Sequence, residues 1–551
     1  MERMRLSIIR TGTYFVSHRF QLPFAVHMRR IRNGMSPGHV RRSQISLILG
    51  VLALAGCAVG PNYVQPKAPS DTGYTINGKL ADLTPGGAEP PQHFLTASTI
   101  PAAWWQLFRS QSLDAVVREA IINSPSLEAA KATLARAHQE VLTAEAPLYP
   151  WLDFTVLAER QRWGLPLGIG IPANQLSAFN YYAFGPTVSY SPDVFGLTRR
   201  SIEEQQALAD NQAYELAAAY LTLTGNVVSE ALTIASVRLQ ISVSEKIVAE
   251  DSKNFSLVQD EFQYGRVAKP DLLLAESQLS NDQALLPPLH QQLAVAEDAL
   301  TMLVGKSPAA WEPPSFTMGD FTLPAQLPVS LPSALVRERP DILAAEAQLH
   351  ASTAALGVAT AQMYPNITLS ASLTPASLTP DSTLFQGSNL FWSLVSGVTV
   401  PVFHGGALKA QKQAAVEQLR ASFATYRQTV LQGFQQVADT LRALGHDSDS
   451  IQAERRAVDT AGISLTLERE SNQLGKTDVL QLIEAERSYQ QAEVGYARAL
   501  AQRYLDSAQL FVAMGGGWWE DKNACSDCAD RTRFGPWPAE TLNANASTSG
   551  P

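Results

Sequence analysis

The sequence predicts a mixed α/β protein, mainly helical, built from two tandem copies of one unit in which long helices flank a short sheet. Three observations lead there. Landmark residues recur at a fixed offset, two stretches of 68 residues contain no proline, and each is preceded by a pair of short strand-like segments.

The repeat is read from spacing. Pro125 opens a helical stretch that Tyr149-Pro150 closes, and Pro340 with Tyr364-Pro365 does the same at the same separation. Gly265, Glu276 and Gly305 return 210 residues later as Gly475, Glu486 and Gly515. Between them, Pro192-Asp193-Val194-Phe195-Gly196 is echoed by Pro401-Val402-Phe403-His404-Gly405. A tandem duplication of about 210 residues explains these agreements together.

Each unit starts with a helix, over 126–146 and 341–363, stopped at Tyr-Pro because proline cannot continue it and restrains the residue before. Two strands follow in each, over 151–160 and 181–191, then 366–373 and 391–400. Apolar residues alternate with polar ones, as in Leu152, Phe154, Val156, Ala158 and Leu394, Ser396, Val398, Val400. Their length suits a tilted membrane strand. Tyr149, Trp151, Tyr181, Tyr182, Tyr190, Tyr364, Phe391 and Trp392 cluster at their ends like the aromatic girdles of an outer-membrane barrel. Four strands cannot close a barrel, and lipid does not tolerate open edges, so membrane strands here require several chains to share one barrel. A soluble hairpin pair is the plain alternative.

Next come the proline-free stretches, 197–264 and 407–474, each long enough for a helix of about 100 Å, with local breaks expected. Val416, Phe423, Val430, Val437 and Leu444 recur every seven residues, with Leu419, Tyr426, Phe434 and Leu441 between them, which is coiled-coil patterning. Each helix turns at Gly265 or Gly475 and returns over 271–304 or 478–514. Pro287-Pro288 is expected to interrupt the first return.

Charge sharpens the reading. Only 17% of residues are charged, against about 25% in soluble domains. Residues 1–56 hold nine arginines and one acid, a net +8, leaving 33 bases against 50 acids, −17, in the remainder. A body of that sign does not suit nucleic acid. The prefix ends in an apolar run, Ile45 to Ala55, and then Leu54-Ala55-Gly56-Cys57: a basic start, an apolar core and a small-residue cleavage site, as in an export signal. Met35 is the alternative start. The tetrapeptide resembles the bacterial lipoprotein box, which implies a covalent lipid on Cys57 and anchorage in the outer membrane. Cys525 and Cys528 fall in a polar tail without further metal ligands nearby.

Catalysis has little support. The six histidines after Cys57 are scattered, with no HExxH spacing, and Gly515-Gly516-Gly517 follows a helix instead of opening one. No catalytic residue, metal site or cofactor is expected. The segments are then a leader at 1–56, an extended segment at 57–110, a first repeat at 111–310, a linker at 311–330, a second repeat at 331–518 and a tail at 519–551.

The chain resembles the TolC-type outer-membrane factors, in the NodT-like lipoprotein branch serving resistance–nodulation–division (RND) efflux pumps. The resemblance rests on 54–63 (Leu-Ala-Gly-Cys-Ala-Val-Gly-Pro-Asn-Tyr), Trp104-Trp105-Gln106-Leu107-Phe108, Glu338-Arg339-Pro340-Asp341-Ile342, Pro401-Val402-Phe403 and Met514-Gly515-Gly516-Gly517-Trp518. It covers roughly 57–518. It implies a homotrimer with one twelve-stranded barrel, four strands from each chain, continuous with a periplasmic α-helical barrel. It implies passive conduction of drugs or other small molecules delivered by a periplasmic adaptor and an inner-membrane RND transporter. Adaptor docking falls on the hairpin tips, Gly265, Arg266, Val267, Ala268 and Gly475, Lys476, Thr477, Asp478. The resemblance implies a periplasmic gate at Leu480, Glu484 and Arg487, spaced i, i+4, i+7 on one helical face, with glutamate where the family's usual residue is aspartate; an ordinary surface ion pair is the plain alternative. An exit duct for type I protein secretion and a coiled-coil scaffold lipoprotein without a pore are the other readings.

Overall fold

The computed structural model describes residues 58–71, 73–75, 83, 92–96, 98, 100–162, 178–380, 382–477 and 479–518. The leader with Cys57 and the tail with Cys525 and Cys528 lie outside these residues.

The chain enters through a short strand, β1 (His93–Thr96), and a 3₁₀ turn at Trp104–Phe108. The first repeat follows as α1 (Gln111–Asn123), α2 (Pro125–Glu145), β2 (Trp151–Gln161), β3 (Phe179–Tyr190) and α3 (Leu197–Gln263). Its return is α4 (Lys269–Gln283) and α5 (Leu286–Leu303). After β4 (Gln326–Val329), the second repeat is α6 (Pro332–Glu338), α7 (Pro340–Ala361), β5 (Asn366–Ser377), β6 (Leu390–Thr399), α8 (Ala407–Gln473) and α9 (Val479–Ala513).

The predicted boundaries of the strands and long helices are met within a few residues. Pro125 and Pro340 both sit in the first turn of their helices, where the missing N–H costs nothing. Pro287-Pro288 fall in the first turn of α5, so the break lies just before them, at Ala284–Leu285. Three expectations need correction. The long helices have no local breaks: α3 and α8 are each 67 residues of continuous helix. The sheet strands are not the chain's only ones, since β1 pairs in parallel with β4. The segment 311–330 is no free linker: Phe316, Phe321, Leu323 and Leu327 are buried in the main core.

β2, β3, β5 and β6 form one antiparallel sheet in that order, with β2 and β6 as its edges. All four helical connections, from α2, to α3, from α7 and to α8, join the sheet at one end, so the long helices leave on a single side. The main core lies well along them. There Trp104, Phe108, Leu113, Val227, Leu232, Leu300, Val437, Leu441 and Phe511 bring together both repeats and the entering segment.

Candidate functional site

The sheet sorts most of its side chains by face, with Trp151, Leu157, Phe391 and Val395 as apolar members of the polar face and Arg160 as a charged member of the apolar one. With Leu152 opposite Val188, Phe154 opposite Pro186 and Val156 opposite Phe184, one face of β2–β3 is apolar. The pairs Ile367–Val398, Ala371–Leu394 and Leu373–Trp392 continue that face across β5–β6. The opposite face carries Asp153, Thr155, Thr187, Ser370, Ser372, Thr374 and Ser393. The apolar face is uncovered: Leu152, Phe154, Val156, Trp392, Leu394 and Val398 are each at least 65% exposed. A soluble hairpin pair would bury that face against other elements. Here it matches a lipid-facing surface, while the polar face suits water. Because β2 and β6 run antiparallel, β6 of one chain can pair with β2 of the next without reversing direction, which lets identical chains close a barrel.

The segment at 58–63, ahead of β1, lies beside this sheet. Val59 N–H donates to Phe195 O at 3.1 Å, just after β3, and Gly196 lies directly against Ala58. Arg200, 4% exposed, holds the segment: Nη2 donates to Asn62 Oδ1 at 2.6 Å, Nε to Val59 O at 3.3 Å and Nη1 to Glu203 Oε2 at 2.6 Å. Burial opposes the Glu203 charge, but hydrogen bonds from His350 and Arg200 outweigh it and hold its carboxyl below the usual range. His350 stacks on Tyr63 at 4.3 Å, and Tyr63 Oη donates to Glu346 Oε1 at 3.0 Å. Cys57 itself is outside the described residues; its neighbour Ala58 lies at the sheet–helix junction.

At the far ends, both hairpin tips close the same way. Gly265 N–H donates to Phe262 O at 2.9 Å and Arg266 N–H to Glu261 O at 2.9 Å. Gly475 N–H donates to Asn472 O at 2.9 Å and Lys476 N–H to Ser471 O at 2.9 Å. These are Schellman turns, which place a left-handed residue after the helix, and both glycines adopt it, with φ of 71° and 68°. Gly265, Arg266 and Ala268 are exposed and Val267 is half-buried; Gly475 and Lys476 are exposed and Thr477 is half-buried. Asp478 is outside the described residues.

Of the expected gate residues, Leu480 lies in the first turn of α9, its side chain outside the described residues. Glu484 and Arg487 are both exposed, and among the described residues neither forms an ion pair within the chain. The neighbouring face of α9 carries residues the sequence did not single out as functional. Glu486, 4% exposed, accepts from Arg469 Nη2 at 3.1 Å on α8 and from Asn254 Nδ2 on α3. Gln490 Nε2 donates to Asp251 Oδ1 at 3.4 Å, again on α3. Burial pushes the Glu486 carboxyl up, against the lowering effect of Arg469 and Asn254. One side of α9 is thus clamped within the chain while the side with Glu484 and Arg487 is free.

A family model described as outer membrane efflux protein matches residues 116–306 and 331–516, the two repeats. The chain belongs to this family. Nodulation protein T of Rhizobium leguminosarum bv. trifolii is 28% identical over 474 residues, covering 85% of this chain and 96% of that protein. The pyoverdine export outer membrane protein OpmQ of Pseudomonas aeruginosa is 27% identical over 480 residues, covering 87% and 98%. Among solved structures, the outer-membrane channel OprN matches with a TM-score of 0.76 at 25% identity, covering 84% of this chain and 100% of that one. The protein is therefore an outer-membrane efflux channel, its strands a share of a β-barrel continuous with a helical barrel. Channels of this family are homotrimers working in tripartite systems with an adaptor and an inner-membrane transporter.

Three of the motifs that carry the family resemblance, at 104–108, 338–342 and 514–518, are structural in this efflux channel, whereas Val402 and Phe403 of a fourth are exposed. Trp104 stacks on Phe511 at 5.5 Å and Trp105 Nε1 donates to Asp114 Oδ1 at 2.9 Å. Arg339, 6% exposed, grips Asp341 at 2.7 Å, Ala513 O at 2.7 Å and Gln436 Oε1 at 2.8 Å, tying the start of α7 to α8 and the end of α9. Trp518 Nε1 donates to Glu338 O at 2.9 Å.

Proposed function

We propose that this channel is the exit duct of an RND-type pump, anchored by lipid on Cys57, docked by a periplasmic adaptor at both hairpin tips and closed by Leu480, Glu484 and Arg487. The two-faced sheet with two unpaired edges carries this reading. A four-stranded sheet whose apolar face is uncovered is incomplete alone and complete when three chains close twelve strands. A scaffold lipoprotein without a pore has no use for such a face.

The anchor is supported by Ala58, which rests where the strands give way to helices, the level at which acyl chains on the preceding residue enter the inner leaflet. The gate is supported by the exposure of Glu484 and Arg487. In a trimer each recurs three times around the axis, so the partners they lack within one chain are supplied by neighbours. Surface pairs of this kind are worth a few tenths of a kcal/mol each, which suits a latch that an adaptor must release.

The test is drug accumulation in a strain lacking the gene, complemented with wild type or Cys57→Ala. Wild type should restore low accumulation and Cys57→Ala should restore it poorly. Unchanged accumulation, together with loss of a secreted protein, would favour the type I secretion duct instead.

A further inference from the structure

The two repeats are not buried alike, and the difference marks a seam. α7 buries fourteen of its 22 residues, whereas its counterpart α2, 215 positions earlier, buries four of 21. Their neighbours account for this. α7 packs on α8 of its own repeat and, on its other side, on α3 of the first repeat. There Asn211 Nδ2 donates to Ala344 O at 2.8 Å, and Gly357 lets the Arg200 side chain lie against the helix. α2 packs on α3 of its own repeat, and its other side stays exposed. The start of α8 is bare in the same way: Ala407, Lys409, Ala410 and Gln411 are exposed, where the start of α3 is mostly covered.

We propose that α2 and β2 of one chain receive α8 and β6 of the next in the packing that α7 and β5 make with α3 and β3 inside the chain, with the volumes at the seam exchanged. The inference rests on the trimeric channel reading and adds which side chains meet. Counterparts lie 215 apart in the first helix and strand of each repeat, as Tyr149 and Tyr364 do, and 210 apart along the long helix, as Gly265 and Gly475 do. The hairpin registers carry the second offset into the strand before it, since Trp151 faces Ser189 and Asn366 faces Thr399. Moved by these offsets, the observed pair Val188–Ala371 becomes Val398 opposite Val156 of the next chain. Both are exposed members of the apolar face, so that face runs on unbroken, whereas a slip of one residue would turn it over.

The helices carry the exchange of volume. Arg200 against Gly357 becomes Ala410 against the next chain's Leu142, a large side chain on a small one in both cases but with the sides reversed. Leu142 is 57% exposed and Ala410 is exposed within one chain. Inside the chain the segment at 58–62 threads between Gly196, Arg200 and Gly357. At the seam a leucine takes the room that Gly357 leaves open and the arginine is gone, so the seam closes directly, without such a segment. Phe403, 83% exposed, then lies beside Tyr149 of the next chain, 68% exposed, as Phe195 stacks on Tyr364 at 5.2 Å within the chain.

The experiment uses the full lipidated chain in outer membranes, with Cys525→Ser and Cys528→Ser as background. Val398→Cys with Val156→Cys, oxidised by copper–phenanthroline, should run as covalent trimers on a denaturing gel, because directly opposed strand residues lie within disulfide reach. Val398→Cys with Leu152→Cys, on the same face but four residues out of register, about 13 Å along the strand, should run as monomers. Ala410→Leu should overfill the seam and lower the trimer-to-monomer ratio on native gels at least fivefold, and Leu142→Ala added to it should recover most of that loss. The Ala410 and Leu142 variants decide the matter if the cysteine pairs do not assemble. Trimers that link through 398 and 152, or through neither pair, would overturn the seam while leaving the trimer intact. So would an Ala410→Leu defect that Leu142→Ala does not relieve. A background protein that is monomeric in the membrane would overturn the trimeric reading itself.

Discussion

The first hairpin, α3 with α4 and α5, and the second, α8 with α9, share their turn but not their returning arm. Both descend as 67-residue helices and reverse through the same Schellman turn. The first then breaks at Ala284–Leu285, whereas the second returns as 35 unbroken residues. Positions 270, 274 and 277 are Pro, Leu and Ser; their counterparts 480, 484 and 487 are Leu, Glu and Arg. Glu276 is exposed, while its counterpart Glu486 is buried and clamped. After duplication the turn glycines kept a backbone that other residues adopt poorly, and the arms, free of that constraint, diverged. On the proposed gate, the first hairpin is the fixed post and the second would carry the latch.

That contrast can be pressed at the glycines first. Gly305, after α5, also ends a Schellman turn, but a methyl group there would run into the Asn123 carbonyl, whereas nothing lies within 4 Å of one at Gly265. Gly305→Ala should therefore cost about 3 kcal/mol, strain plus overlap, and Gly265→Ala only about 1 kcal/mol, as thermal melting of the trimer would read. Next, Glu486→Ala strips Asn254 and Arg469 of their shared acceptor and should cost about 2 kcal/mol, while Glu276→Ala should cost nothing measurable in the same melts.

A smaller effect concerns pH and unites the hairpins instead of dividing them. Each carries an aspartate with one buried carboxyl oxygen, facing another acid across its two arms. Asp251 on α3 meets Asp282 on α4, with Gln490 and Glu486 of α9 beside it; Asp447 on α8 meets Asp506 of α9, with Arg503 beside it. Burial first, and the facing acid second, push both Asp251 and Asp447 well above the ordinary carboxylate range. An acid raised on folding stabilises the fold when protonated, and that contribution fades as pH climbs from about 4 toward neutrality. The melting temperature should thus fall between pH 5 and pH 8. Asp251→Asn or Asp447→Asn should each shrink that fall, and the double variant should shrink it further. Smallest of all, Pro287→Ala with Pro288→Ala should heal the break in the first arm. Slower deuterium exchange at 283–286, with melting barely changed, would show it.

Much of this was legible in the sequence because its signals are local. Proline marks helix starts, Tyr-Pro marks their ends, glycine marks the turns, and alternation marks the membrane strands. The sheet's two faces follow once register is known, and alternation alone already separated Leu152 and Phe154 from Asp153. The pairing of β1 with β4 was not legible, since four-residue strands over 230 residues apart leave no periodic trace. Arg200 reads as a surface arginine on a helix; the segment at 58–62 laid across it and Gly357 of α7 packed against it bury the charge. Glu486 was visible as a repeated position, but its clamp depends on α3 and α8 meeting α9, which no local pattern encodes.

Single-channel conductance in planar bilayers tests the central claim, that the second hairpin holds the gate of a trimeric duct, most directly. Glu484→Ala with Arg487→Ala should raise the conductance of the closed channel several-fold, and the counterpart pair Leu274→Ala with Ser277→Ala should leave it unchanged. Equal conductance in both variants and wild type would contradict the gate, and a rise in the first-hairpin variant alone would place it on the wrong arm.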